Sequence, residues 1–248
     1  SFHRNRHTSL QTLNKLEDPP HLRRNIIAQL GHGMFGQTGM RLVSAPTFMP
    51  AYLFALSGSE FVVGLTRALQ AAGTVVSPII GASTVGHRPK VLSATLATAA
   101  LMRLQILGLA LAGFFLGQRA LLPAIIVFLT LMGFFQGMAQ VTMNTLRARV
   151  IPVHRRGFVS GARNFLAGFT SAGVSYLAGA YVLENDLLGN GYGTVFLVAF
   201  VIASCGLGAL ALTRETETTA VRPRESTRQA LRAIPGLLRD DPEFAKFF

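Results

Sequence analysis

Paired cysteines, metal-ligand spacings, nucleotide-binding signatures and an even scatter of charge are all absent from these 248 residues. Cys205 is the single cysteine, which excludes a disulfide scaffold. The lysines, Lys15, Lys90 and Lys246, follow Asn, Pro and Ala, so no Gly-x-x-x-x-Gly-Lys loop is present to cradle a nucleotide. His3, His7, His21, His87 and His154 have no ligand spacing, and neither a metal nor any other cofactor is expected. The first 24 residues are polar and basic, with no apolar segment ahead of a small-residue cleavage site, so no cleavable signal peptide is visible. Charge is sparse: 14% of residues carry it, against roughly 25% in soluble domains. Half of the residues are hydrophobic and the mean hydropathy is +0.42, which excludes a disordered chain.

The charge that exists is bunched, and the gaps between bunches are long enough to cross a bilayer, which takes about 20 apolar residues as helix. Six spans are expected between charged residues, at 24–60, 60–88, 90–119, 119–147, 156–184 and 193–212. Helix is the expected state because lipid leaves no water to satisfy backbone groups. A barrel would show alternating segments of about ten residues instead. The turns between spans are short, which favours antiparallel neighbours. Gly133/Gly137, Gly157/Gly161 and Gly113/Gly117 are small-xxx-small pairs that let helix backbones approach.

Basic residues sort by side. Arg4, Arg6, Lys15, Arg23 and Arg24 precede span 1, Arg88 and Lys90 lie between spans 2 and 3, and Arg147, Arg149, Arg155 and Arg156 lie around the turn between spans 4 and 5. A further cluster follows span 6, whereas Arg119 stands alone on the opposite side with Glu60, Glu184 and Asp186. Positive residues stay cytoplasmic, so both termini are expected inside, and the net charge of +12 reads as a topology signal, not a nucleic-acid footprint. The expected organisation is a cytoplasmic segment at 1–24, a six-helix transmembrane bundle at 25–213, and a cytoplasmic linker at 214–248. Residues 229–238 read as a short amphipathic helix, and 240–248 (DDPEFAKFF) as the start of a seventh span, so the sequence is expected to be a fragment.

This pattern of six spans, short loops and basic turns resembles the N-terminal half of a major facilitator superfamily transporter. Two stretches carry the resemblance. At 81–90 (GASTVGHRPK), Gly81, Arg88 and Lys90 match the family's turn between spans 2 and 3, while Val85 stands where the family has Asp. At 150–168 (VIPVHRRGFVSGARNFLAG), Ile-Pro, then Arg-Arg-Gly and a Gly-rich span, resemble the family's entry into span 5. The absence of Pro between Arg156 and Leu183 departs from the family's antiporter pattern. The resemblance implies an all-α membrane fold of two inverted three-helix repeats with a cavity near the midplane. Residues 64–74 (GLTRALQAAGT) and 161–170 (GARNFLAGFT) share an early Arg, then Leu, Ala-Gly and Thr, a faint echo of such a repeat.

Four arginines fall within spans and none of the 11 carboxylates does. An ionisable residue inside a membrane is a functional candidate by default. Arg41 shares a helix face with Gln37 and Ser44, and is read as a substrate or gating contact or as a water-solvated structural residue. Arg67 and Gln70 begin a polar stripe continuing through Thr74 and Ser77, with snorkelling of Arg67 as the competing reading. Gln136, Gln140 and Asn144, each four apart, form an uncharged polar line suited to a substrate or to bonding between helices. The substrate-binding set is therefore Arg41, Gln37, Gln136, Gln140, Asn144, Arg67 and Gln70. Arg163 is expected to snorkel or to cap a neighbouring helix end, Arg103 has no assignment, and His32 is expected to be structural.

The function expected is secondary active transport of a small solute by alternating access, with this chain as the N-terminal half. The arginine excess suggests an anionic solute. The expected partners are that solute, the lipid bilayer and a missing C-terminal six-helix half, and no nucleic acid; the expected location is a bacterial inner (plasma) membrane. A self-contained six-span channel or half-transporter that dimerises is the first alternative. A membrane-embedded enzyme is the second, and it is disfavoured. Ser160 sits in Gly-Phe-Val-Ser-Gly, offset by one from a protease's Gly-x-Ser-Gly, and no His follows His154. The Pro-x-acid-x-x-basic repeat of six-span mitochondrial carriers is missing too.

Overall fold

The computed structural model describes residues 19–44 and 48–216; the expectations at 1–18 and 217–248, including the linker helix and the seventh span, lie outside the described residues. Every regular element among the described residues is helical. The region expected as span 1 comprises α1 (Leu22–Gly31), continuous through a π-helical stretch at His32–Gly36 with α2 (Gln37–Ser44), and then α3 (Phe48–Ser57). Span 2 comprises α4 (Glu60–Val76) and α5 (Pro78–Val85), then come α6 (Leu92–Phe115) and α7 (Gln118–Val150). α8 (Val153–Leu177) continues into a π-helical end at Ala178–Leu183, and α9 (Gly191–Ala211) closes the bundle. Five of these stretches are long and apolar enough to cross a membrane: Glu60–Val85, Leu92–Phe115, Gln118–Val150, Val153–Leu183 and Gly191–Ala211. Residues 22–57 fall outside that group because polar and glycine residues (Asn25, Gln29, Gly31, Gly33, Gly36, Gln37) interrupt the apolar run.

The break in span 2 has a local cause. Pro78 lacks the N–H that would bond the Thr74 carbonyl, so the helix breaks at the buried Ser77. The Thr74 carbonyl and Pro78 then pack against Gly137, where a Cβ would come within 2.5 Å of the carbonyl oxygen. Gly133 in turn lies against the Gln70 backbone, and a Cβ on Gly73 would meet the Phe134 nitrogen at 2.8 Å. The α4–α7 crossing is thus built from glycines on both helices, as the Gly133/Gly137 spacing anticipates. Gly113 likewise packs on Gly193, whereas Gly117, Gly157 and Gly161 have open space where a side chain would go.

Around the bundle, α4 and α5 pack on α7, α7 on α6, α6 on α9, α9 on α1 and α2, and α2 on α8. Two apolar cores result. One gathers Leu42, Met49, Leu53, Ile106, Leu109, Ile125, Leu129 and Phe196. The other gathers Leu22, Val85, Val91, Met143, Leu146, Val150, Val159 and Leu210 at the end of the bundle that carries the basic turns. The outer surface is apolar, with Phe61, Val75, Phe115, Phe158, Phe165 and Phe169 all more than 70% exposed. An outward-facing apolar surface of this kind suits hydrocarbon, not water.

Long-range hydrogen bonds fix the helix ends. Asn190 accepts from the Gly193 N–H at 2.9 Å as N-cap of α9 and donates to the Gly113 carbonyl at 2.6 Å, tying α9 to the end of α6. At the basic end, Glu215 accepts from the Val91 and Leu92 N–H groups at 2.8 and 2.9 Å and meets Arg149 at 3.3 Å. Arg149 also donates to the Arg88 and Pro89 carbonyls at 3.1 and 2.9 Å. Asn25 exchanges two bonds with the Arg214 backbone, so hydrogen bonding to the bundle continues past residue 213.

Candidate functional site

A cavity of about 480 Å³ lies between the two apolar cores. The first helical region, which runs from α1 through the π-helical turn into α2, supplies His32, Gly36, Gln37 and Met40, and α6 supplies Ala99, Met102 and Arg103. From α7 come Gln136, Ala139, Gln140, Met143, Asn144 and Arg147, and from α8 come Ser160, Arg163 and Asn164. Gln140, Asn144 and Asn164 are exposed on its open side. A smaller pocket of about 170 Å³ adjoins it, shares Asn144, Arg147 and Ser160, and reaches Arg156.

The π-helical stretch shapes one wall. Such stretches reset which side chains face a site. The glycines within it let other groups come close: a Cβ on Gly206 would sit 2.7 Å from the Gly36 Cα, so α9 touches the helix backbone there. On the cavity side Arg163 lies across Gly33, where a Cβ would come 2.9 Å from Nε. With the Gln37 carboxamide oriented so that its oxygen faces the guanidinium, that oxygen accepts from Arg163 Nε at 3.0 Å and also from Nη2.

Of the sequence-nominated residues, Gln37, Gln136, Gln140 and Asn144 meet around this one cavity. Arg41, Arg67 and Gln70 do not line it. Arg41 is exposed and donates to Ser171 Oγ at 3.3 Å. Arg67 donates to Gln70 Oε1 and to the Ser44 carbonyl, both at 3.3 Å, and so links α4 to the end of α2. Arg163 reaches the cavity instead of a helix end. Arg103, only 2% exposed, gains a structural account: Nε donates to the Ala203 carbonyl and Nη1 to the Ala99 carbonyl, each at 2.7 Å. His32 is buried, with Nδ1 3.2 Å from the Gly206 carbonyl.

Sequence reasoning missed Arg147, Ser160 and Asn164. The sequence groups Arg147 with the basic turn, yet it lies three residues, just under one helical turn, beyond Asn144, and Nη1 donates to Asn144 Oδ1 at 3.4 Å. The spacing Gln136, Gln140, Asn144 extended by three to Arg147 keeps one helix face and was the available signal.

Apolar helices packed around a polar cavity define a polytopic integral membrane protein. Residues 32–248 match the Major Facilitator Superfamily, and the chain belongs to that family. The crystal structure of a D-xylose-proton symporter superposes with a TM-score of 0.55 at 18% sequence identity, over 88% of this chain and 52% of that one. The chain thus spans about half the length of that relative, and the likeness is one of fold. No curated protein sequence matches.

Proposed function

We propose that this chain is the N-terminal half of a secondary transporter that moves a small solute across a bacterial inner (plasma) membrane by alternating access. The observation that carries the reading is the convergence of Gln37, Gln136, Gln140 and Asn144 on one cavity in a chain of this family. Amide side chains both donate and accept, so they hold a polar solute without trapping it. We assign these four residues to direct contact and Arg41, exposed one turn beyond Gln37 and outside the cavity lining, to a gating contact. Arg67 and Gln70 are assigned to holding α4 against α2 through their bonds to each other and to Ser44. The solute would sit between this bundle and a second six-helix bundle, with rocking of the two exposing it to either side. No catalytic step is proposed.

The structural relative's name couples D-xylose to protons. In this chain the described carboxylates, Glu60, Glu184, Asp186 and Glu215, all stand at helix ends or in turns. Any proton coupling is therefore assigned to the second half or to the solute itself; a pH-gradient dependence abolished by His32→Ala would contradict this. The test is gradient-driven uptake by the full-length protein in proteoliposomes, with labelled D-xylose and a panel of carboxylates and phosphate esters. Uptake of one solute that falls at least about tenfold in Gln140→Ala supports the reading, the loss of one or two hydrogen bonds being worth that much. Wild-type uptake in both Arg41→Ala and Gln140→Ala removes the site assignment, and no uptake of any solute removes the carrier reading.

A further inference from the structure

The cavity is lined by three guanidinium groups and, among the described residues, by no carboxylate. Arg103 uses two of its donors, at Nε and Nη1, on the Ala203 and Ala99 carbonyls. Arg163 is oriented by the neutral Gln37 amide. Arg147 makes one long bond to Asn144 and has a buried Nε with no partner. Carbonyls and amides satisfy N–H groups but leave the charge uncompensated, and an uncompensated charge removed from bulk water is costly. A guanidinium also has no acceptor, so it cannot take up the hydroxyl hydrogens of a neutral sugar. It does match a carboxylate or phosphate, whose oxygens accept two parallel N–H bonds. Arg147 and Arg163 come from different helices, α7 and α8, with Ser160 and Asn164 beside them as further donors. The volume, about 480 Å³, falls in the range of small-molecule sites.

We propose that this cavity takes a small organic anion, a carboxylate or a phosphate ester, clamped between Arg147 and Arg163, with Arg103 as a fixed positive background. The proposal rests on the carrier reading and adds the chemical class of its solute. A cationic wall without acids also disfavours cationic solutes.

The experiment is thermal unfolding of the full-length protein in zwitterionic phosphatidylcholine nanodiscs, titrated with succinate, citrate, glucose 6-phosphate, inorganic phosphate, D-xylose and choline. The expected result is a saturable rise in midpoint with at least one anion and none with D-xylose or choline. Arg147→Gln and Arg163→Gln should each weaken that anion at least tenfold. Arg147→Lys and Arg163→Lys should recover part of the loss, and Arg119→Gln at the far end of the bundle should leave affinity unchanged. The lysine variants and the wild-type probe comparison keep the test decisive if a glutamine variant does not fold. Stabilisation by D-xylose alone, by none of the probes, or by anions equally in both glutamine variants overturns the proposal. So does an arginine-dependent rise with phosphatidylglycerol nanodiscs in place of any soluble anion, since a lipid headgroup would then be the ligand. Binding of an anion without its flux in proteoliposomes would instead overturn the carrier reading while leaving the anion site standing.

Discussion

Arg103 shows how one buried charge can be structural in a membrane bundle. Its two 2.7 Å bonds join α6 to α9 and to its own preceding turn, so the side chain staples two helices through carbonyls that are otherwise already used in helix bonds. Arg103→Ala removes both bonds and the packing of the stem, and is expected to destabilise the folded protein by about 1–3 kcal/mol. Thermal unfolding of the full-length protein in nanodiscs checks this, and a midpoint equal to that of the wild type would show that the two bonds do not staple the helices. Gly33 offers a contrasting case at the same scale. A methyl group there would occupy the path of Arg163, which must then leave Gln37. Gly33→Ala is therefore expected to cut uptake at least about tenfold while lowering stability less than Arg103→Ala does. Uptake at wild-type rate in Gly33→Ala would show that the orientation of Arg163 is irrelevant to transport.

At the scale of elements, the helix ends carry most of the long-range specificity. Glu215, whose side chain is 2% exposed, caps α6 and pairs with Arg149, whose guanidinium in turn holds the Arg88 and Pro89 carbonyls. Three segments distant in sequence are joined by one carboxylate. Glu215→Ala leaves two helix-start N–H groups and a guanidinium without their partner, a loss of about 1–3 kcal/mol. Glu215→Gln, which keeps an acceptor, should lose less; equal losses in the two variants would show that the amide acceptor contributes nothing. The α4–α7 crossing is the complementary case, where the absence of side chains matters. Gly137→Leu would have to displace the Thr74 carbonyl and Pro78, and overpacking of this kind costs about 1–3 kcal/mol. The same two regions show what was legible in sequence. The Gly133/Gly137 spacing and the polar line Gln136, Gln140, Asn144 are periodic along one helix, so they are readable without knowing the neighbours. The Glu215 cap spans a separation of 124 residues, and the turn of Arg163 onto Gln37 depends on which helix packs beside which. Neither leaves a local pattern, which is why the sequence places Arg163 by its depth in the span and not by its partner, and leaves Arg103 without an assignment.

At the scale of the whole molecule, the parity of the crossings sets which side each terminus occupies. Five stretches have the length and apolarity to cross a bilayer, and the remaining crossing, expected between Arg24 and Glu60, is built from helices at 22–44 and 48–57 whose apolar run is interrupted by glycine and polar residues. Those same residues form the cavity wall, and a wall that must present Gln37 and His32 to a polar space cannot also be uniformly apolar. Its low hydropathy is therefore the expected signature of a crossing that faces the interior, with α9 and α8 covering its other sides. An even number of crossings puts residues before Leu22 and after Ala211 on one side, in agreement with the basic clusters around both, whereas five crossings would place Arg23 and Arg24 opposite Arg214. Reporter fusions decide between the two. With six crossings, alkaline phosphatase fused after Gly58, Gly117 or Asp186 should be active outside, and fused after Arg88, Pro152 or Glu215 inactive. A protease-accessible tag ahead of Ser1 separates the cases directly. Protection of that tag in intact cells, together with an inactive fusion after Glu215, establishes six crossings. Its cleavage from outside would mean that residues 22–57 re-enter without spanning, and the cavity wall they form would then have to be approached from one side only.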